Sequence, residues 1–381
     1  MTSSNSSGAE SRKTESLIDV FGLNDCGNEE DLSQAEMVAG RIADFIGKAE
    51  KTLLLALYDV RIPDPIGKVV ADAFRDASGR GVEVRLAYND DTGGHDKGNF
   101  LPAVHPPPET NPAILAELPI ETRPIRGIPD LMHHKYLVRD EAAVWTGSAN
   151  WSIYSWTRQE NALAVIESAE LAREYIENFE ELWQTGEVAR SGRGDPNPIR
   201  VGDATVRAWF TPGHGEALAQ RIATRLGTAR RRIRIASPVL TSAPILGTLA
   251  EYGDRPRDFD VAGVIDEPQT DRVFEQWATT HSKWKIPLLA KVLGSLPISG
   301  KNSVPWGTAD LRNFMHAKVT VVDDTVFMGS FNLSRSGEEN AENMVEIEDA
   351  GVAETMASFI DDTRGKYPPS TVPQIADGFR G

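Results

Sequence analysis

The chain is nearly devoid of cysteine: Cys26 stands alone among 381 residues. One thiol closes no intrachain disulfide and builds no thiolate zinc cluster, so the fold has to stand on packing. Positive charge is also in short supply, with 40 Lys and Arg against 56 Asp and Glu and a formal net charge of −16. Nonspecific affinity for a polyphosphate needs a basic face from which counterions are released, and this balance argues against an architectural nucleic-acid binder. A small basic site within an acidic shell is still compatible with it. No apolar run approaches the ~18 residues of a membrane span, and residues 1 to 20 lack the apolar core of a signal peptide, so the expectation is a cytoplasmic protein. What the chain does have is 40% apolar residues, 32 Gly and 23 Pro, an ordinary globular composition. At ~150 residues per domain its length predicts two domains.

Residues 1–33 are rich in Ser, Asn, Gly and acidic side chains without a hydrophobic period, and are read as a disordered tail. From Ala35 the pattern changes. Met37, Val38, Ile42, Phe45 and Ile46 recur at helical spacing, and Leu53 to Leu57 form a short buried strand. A second helix over Ile66 to Ala77 leads through Gly79 and Gly81 to a strand at Val82, Val84, Leu86 and Tyr88. Helix and strand in alternation predict an α/β domain with a mixed, mostly parallel sheet flanked by helices. A Gly-, Pro- and Arg-rich stretch over 185–204 reads as a linker, after which the same order of elements returns. The expected domains are 34–184 and 205–366, with a second tail over 367–381.

The duplication is visible at residue level. Each half carries His-x-Lys-x4-Asp: His133, Lys135 and Asp140, then His316, Lys318 and Asp323. Each follows it with Gly-Ser-x-Asn, namely Gly147, Ser148 and Asn150, then Gly329, Ser330 and Asn332. Ten residues beyond each asparagine stands a Glu-Asn pair, Glu160-Asn161 and Glu342-Asn343. Three features repeat in register at an offset of roughly 180 residues.

Side chains two apart in a strand share a face, so His133 and Lys135 point together, as do His316 and Lys318. Asp140-Glu141 and Asp323-Asp324 read as turns that bring Gly-Ser-x-Asn back beside each histidine. Each half thus assembles an imidazole, an ammonium and an amide. Two such half-sites facing one another suit displacement at phosphorus: one imidazole attacks, the other protonates the leaving oxygen, and cations and amides hold the equatorial oxygens. This arrangement requires no metal or cofactor.

The doubled motif resembles that of the phospholipase D superfamily, over about Ala35 to Ile360. The resemblance implies two phospholipase D-like domains related by a pseudo-twofold axis, a monomer with one intramolecular site, and a covalent phosphohistidine. It makes His133 the nucleophile and His316 the general acid and then base, with Lys135, Lys318, Asn150 and Asn332 binding phosphate. Glu160 and Glu342 match the family's residue that orients a catalytic histidine through its second ring nitrogen. One departure stands out: six residues separate Asp140 from Gly147 but five separate Asp323 from Gly329. On this basis the expected activity is hydrolysis or transfer at a phospholipid headgroup, with nucleic acid cleavage or synthase-type phosphatidyl transfer as alternatives.

Other features have plainer readings. Asp140 and Asp323 are expected to stabilise their own turns. Ser148 and Ser330 are placed to donate either to phosphate or to the turn backbone. His134 lies on the face opposite His133 and is expected to pack there. Arg230, Arg231, Arg232 and Arg234 sit where a helix gives way to a strand, and read as solvated charge before a nucleic-acid stripe. Trp145, Trp151 and Trp156 read as core aromatics. An insertion over 89–110 is expected to border the pocket as a lid. A second, over 281–306, is read as a helix packed on the second domain, the alternative being that the same apolar segment dips into a lipid surface.

Overall fold

The computed structural model describes residues 16–28, 30–90, 115, 117–254, 259–305, 308 and 311–379. The first half is built on a seven-stranded sheet. Its strands run, in spatial order, Ile18–Leu23, Asn161–Glu167, Ala143–Gly147, Lys135–Arg139, Thr52–Leu57, Glu83–Asp90 and Glu121–Arg126. The second half repeats this order with Ala204–Phe210, Asn343–Glu348, Thr325–Gly329, Val319–Val322, Arg232–Ala236, Asp260–Asp266 and Ile298–Lys301. One extra edge strand, Ile199–Val201, precedes them, so the end of the expected linker belongs to the second sheet.

The sheets are mixed but mostly antiparallel, which corrects the expectation of mostly parallel sheets. Within each main sheet, parallel pairing among the described strands is confined to three neighbours: Thr52–Leu57, Glu83–Asp90 and Glu121–Arg126, and likewise Arg232–Ala236, Asp260–Asp266 and Ile298–Lys301, with a separate short parallel pair of Val60–Arg61 and Trp151–Ser152 in the first half. Helix Ile66–Gly79 and helix Ala243–Tyr252 supply the crossovers that parallel strands need. The motif strand and its successor are instead joined by a tight turn, which dictates an antiparallel pair. The helix–strand alternation at the start of each half is therefore real, but it governs only three strands.

The turns also explain the one-residue departure between the motifs. Arg139 pairs with Ala143 across a three-residue turn, Asp140 to Ala142, whereas Val322 pairs with Thr325 across two residues, Asp323 and Asp324. Asp140 and Glu141 (φ 52° and 54°) and Asp323 (φ 54°) take the left-handed conformation, which aspartate tolerates better than most residues.

Two expected tails are corrected. Residues 1–15 lie outside the described chain, but Ile18–Leu23 pairs antiparallel with Asn161–Glu167 as the counterpart of Ala204–Phe210. The repeat thus begins inside the segment read as disordered. Gly22 is required there, because a Cβ would lie 2.2 Å from the ring of Phe359 on the second half's last helix. At the other end, Ser370 N–H donates to Ile298 O at 2.8 Å, and Ala376 is buried within a 3-10 turn, Gln374–Phe379.

The halves share one core. Tyr136 and Val138 of the first sheet and Val319 and Val321 of the second belong to the same buried cluster as Leu171, Tyr175 and Phe179 of helix Ala169–Thr185 and Met356 and Ile360 of helix Ala350–Arg364. Both helices bury apolar residues at i, i+3, i+4 spacing between the sheets. That shared layer fixes one motif against the other.

Candidate active site

The histidines sit just before their strands, Lys135–Arg139 and Val319–Val322. Backbone bonds lock each to the opposite half: His133 N–H donates to Ala341 O at 2.8 Å and His316 N–H to Glu160 O at 3.2 Å. Lys135 Nζ donates to His133 O, and Lys318 Nζ to His316 O, each at 2.6 Å. The lysine contacts repeat atom for atom between the halves, whereas the backbone acceptors differ by one position, Ala341 preceding Glu342 and Glu160 being that residue's counterpart. His133, Lys135, His316 and Lys318 are all nearly buried. Burial is the largest effect on His133, lowering its pKa to about 4 against the opposing pull of Glu342, with the Lys135 charge lowering it further. Burial and then the Lys318, Lys135 and His133 charges hold His316 well below an ordinary imidazole. Burial and Lys135 likewise lower Lys318, while Glu342 opposes them.

Each Gly-Ser-x-Asn loop passes close to the following strand. A Cβ on Gly147 would lie 2.3 Å from Ala162 O, and one on Gly329 2.3 Å from Asn343 O. The neighbouring serines are engaged by that strand. Ser148 Oγ accepts from Ala162 N–H at 3.0 Å and donates to Asn161 Oδ1 at 2.8 Å. Ser330 Oγ accepts from Asn343 N–H at 3.0 Å. Asn150 is buried with an Oδ1 that has no partner among the described residues, and Asn332 is half-buried.

The two motif aspartates cap backbone. Asp140 accepts from the N–H groups of Glu50, Lys51 and Thr52 at 2.8, 2.7 and 2.9 Å. Asp323 accepts from those of Arg230, Arg231 and Arg232 at 2.9, 2.7 and 3.1 Å. Partial burial raises each carboxyl, and the backbone donors more than offset it, so both lie below the usual value.

Only one of the two expected carboxylate–histidine pairs forms. His133 Nδ1–H donates to Glu342 Oε2 at 2.7 Å, across the boundary between halves. Glu160, fully buried, instead accepts from Lys301 Nζ at 2.8 Å and from the hydroxyl of Tyr367. His316 Nδ1–H donates to Asn161 Oδ1 at 3.0 Å. The amide is fixed that way round because its Nδ2 donates to Ser155 O at 3.0 Å. Asn161, Lys301 and Tyr367 were not legible as site residues. Asn161 was visible as half of the repeated Glu-Asn pair, while Lys301 and Tyr367 lie in no motif. The ring of Tyr58 packs edge-on against His133 at 4.7 Å between centroids.

His134, as expected, is buried on the other face, with Nδ1 3.3 Å from Asn343 Oδ1. Three of the four arginines in the run are held in ion pairs, Arg231 with Asp324, Arg232 with Glu354, and Arg234 with Asp260 and Asp361. Trp145, Trp151 and Trp156 are core residues. The expected lid lies almost wholly outside the described residues. Helix Ile286–Ser295 packs Ile286, Leu289, Val292 and Leu293 into the second half, leaving Trp284 57% exposed just before it. No described helix is long and apolar enough to cross a membrane. Among the described residues, no group of three His, Cys, Asp or Glu side chains is placed to hold a metal ion.

The chain has counterparts among known proteins. A family model described as "Cardiolipin synthase, PLD-like domain" matches twice, over residues 42–183 and 222–363. The chain belongs to the phospholipase D-like family. That superfamily is one of catalytic domains. Among curated relatives, it is 32% identical over 56 residues to a human mitochondrial cardiolipin hydrolase, covering 15% of this chain and 22% of that protein. It is 28% identical over 138 residues to a phospholipase D of Rickettsia bellii, covering 36% of this chain and 60% of that one. The matched segments thus span about a fifth to three-fifths of these relatives. The phosphatidylserine synthase of Haemophilus influenzae superposes over 96% of this chain and 89% of its own, with a TM-score of 0.61 at 13% identity, a likeness of fold.

Proposed function

We propose that the protein transfers the phosphatidyl group of a glycerophospholipid to an alcohol through a phosphohistidine at His133. The observation that carries the reading is the Glu342–His133 contact at 2.7 Å. A carboxylate on Nδ1–H leaves the Nε2 lone pair bare and makes it more nucleophilic. The lowered pKa of His133 keeps that nitrogen unprotonated at neutral pH.

In the first step Nε2 of His133 bonds to phosphorus as the bond from phosphorus to the leaving oxygen breaks. Nε2 of His316 gives that oxygen its proton. Resting His316 is neutral, so it takes up this proton as the substrate's negative charge enters between Lys135 and Lys318 and offsets their repulsion. In the second step an acceptor hydroxyl gives its proton to His316 Nε2 while its oxygen bonds to phosphorus. The phosphorus–nitrogen bond then breaks and its pair returns to His133. Lys135, Lys318, Asn150 and Asn332 hold the non-bridging oxygens in both steps.

The family description supports transfer between phosphatidyl groups, and the names of the curated relatives favour a second reading in which water resolves the same intermediate. Phosphatidylglycerol vesicles in EDTA buffer, with His133→Ala as control, separate the readings. Cardiolipin and free glycerol formed only by the intact protein support transfer; phosphatidate alone supports hydrolysis. Cleavage of single- or double-stranded DNA without lipid turnover would replace the lipid with a nucleic-acid substrate.

A further inference from the structure

The two half-sites are not equivalent, and the difference lies in one position of the sheet. Asn89 Oδ1 accepts from Met132 N–H, and Asp266 Oδ2 from Met315 N–H, each at 2.9 Å, so these two residues correspond under the pseudo-twofold axis. In the strand register Asn89 faces Ile125, and Asp266 faces Lys301. Ile125 and Lys301 are therefore the same position in the two halves, one a buried isoleucine and the other a buried lysine. Lys301 Nζ lies 2.8 Å from Glu160 and 3.0 Å from Asp25, and the Tyr367 hydroxyl takes the other Glu160 oxygen. Glu342, facing the half that has Ile125, binds His133 instead.

We propose that Lys301 is a positioning residue that withdraws Glu160 from His316, leaving that histidine to the neutral amide of Asn161 and thereby making the two imidazoles chemically different. The inference rests on the phosphohistidine reading for its meaning but not for its test. A carboxylate on Nδ1–H stabilises imidazolium, whereas an amide fixes the tautomer with little effect on basicity. His133 is thus equipped as a nucleophile. His316 binds its proton weakly until a phosphodiester arrives and releases it readily to a leaving oxygen.

The charged and titratable groups around His316 are Lys318, Lys135 and His133 at close range. Glu160, Lys301, Asp25 and Tyr367 lie behind Asn161; Asp266 sits below Met315, Arg312 is on the same segment, and Glu342 is beyond Lys318. Replacing Lys301 with methionine removes the cation that holds Glu160 among the described residues. The negative charge so released favours protonated His316.

The test is an imidazole 15N NMR titration of His316 with inorganic phosphate as the probe, the resonance being assigned by its loss in His316→Ala. In the intact protein the proton is expected on Nδ1, with Nε2 bare at neutral pH. Lys301→Met is expected to raise the midpoint by about one pH unit or more, the scale of an opposite charge brought close. The double variant Lys301→Met/Glu160→Gln is expected to return it. Asn161→Asp, which leaves Lys301 in place, is expected to raise it too and keeps the test open if Lys301→Met does not fold. Glu160→Gln alone is expected to leave it unmoved; a shift there would show that Glu160 already holds the ring and would overturn the proposal. So would an unmoved midpoint in folded Lys301→Met. These outcomes are independent of turnover, so failure to process lipid would refute the proposed substrate and leave the positioning role standing.

Discussion

Glu342 accepts a hydrogen bond from His133 across 209 residues of sequence and across the boundary between the halves. Neither half-site is complete without the other. Glu342→Gln keeps the shape and removes the charge, so the tautomer of His133 is no longer enforced. Turnover is expected to fall on the order of 10²–10⁴-fold, as for other buried acid–histidine pairs, with little change in Tm. Steady-state rates with a parallel melt check this.

The two histidines are expected to fail in different ways. His316→Ala lacks the acid, so a phosphodiester with an activated leaving group should still load His133, and the adduct should accumulate. Intact-protein mass spectrometry reads the added mass. If His133→Ala accumulates the adduct and His316→Ala does not, the roles are reversed.

Stability is expected to fall on acidification. In the folded protein His133 and His134 are held at about 4 and about 3, against an ordinary value near 6.5. The unfolded chain binds more protons between these limits, so their contribution is full above pH 6.5 and is lost as pH falls toward 4 and 3. Asp266, raised to about 6 by burial, acts oppositely: its contribution is full below about 4 and is lost as pH rises through 6. His134→Gln is therefore expected to flatten the decline between pH 7 and 4 by on the order of 1–3 kcal/mol, at about 1.4 kcal/mol per pKa unit. Urea midpoints across that range provide the measurement.

Asp140 is expected to matter for folding more than for chemistry. Asp140→Ala leaves three backbone N–H groups without their acceptor and places alanine at φ 52°. A loss of about 2–4 kcal/mol in unfolding free energy is expected, and less for Asp140→Asn, which tolerates that conformation. KM is expected to be unchanged in both.

The motif was legible because its spacing is local: His133 and Lys135 share a face through the period of a strand, and a short turn returns Gly147 and Ser148 to them. The duplication was legible for the same reason. Ile18–Leu23 escaped notice because six residues containing Asp19 and Gly22 show too little alternation to stand out, and only comparison with Ala204–Phe210 in the fold reveals them as a repeat. The parallel sheet was an overextension of a true helix–strand pattern to strands joined by tight turns. Glu160 was misassigned because its partner is chosen by Lys301 and Tyr367, which lie more than a hundred residues away and carry no motif. Difference between the repeats, here Ile125 against Lys301, is what marks that asymmetry.

The contact between Tyr367 and Glu160, together with that between Asp25 and Lys301, has a consequence for biosynthesis. A ribosome that has released the chain only as far as residue 330 has delivered the whole first motif and both motif histidines, yet neither Glu342 nor Tyr367. Such a nascent chain has an imidazole at position 133 with nothing to direct its lone pair. On the reading proposed above, reactivity toward phosphorus is deferred until the segments carrying Glu342 and the second half's last helix have emerged and the shared core has closed.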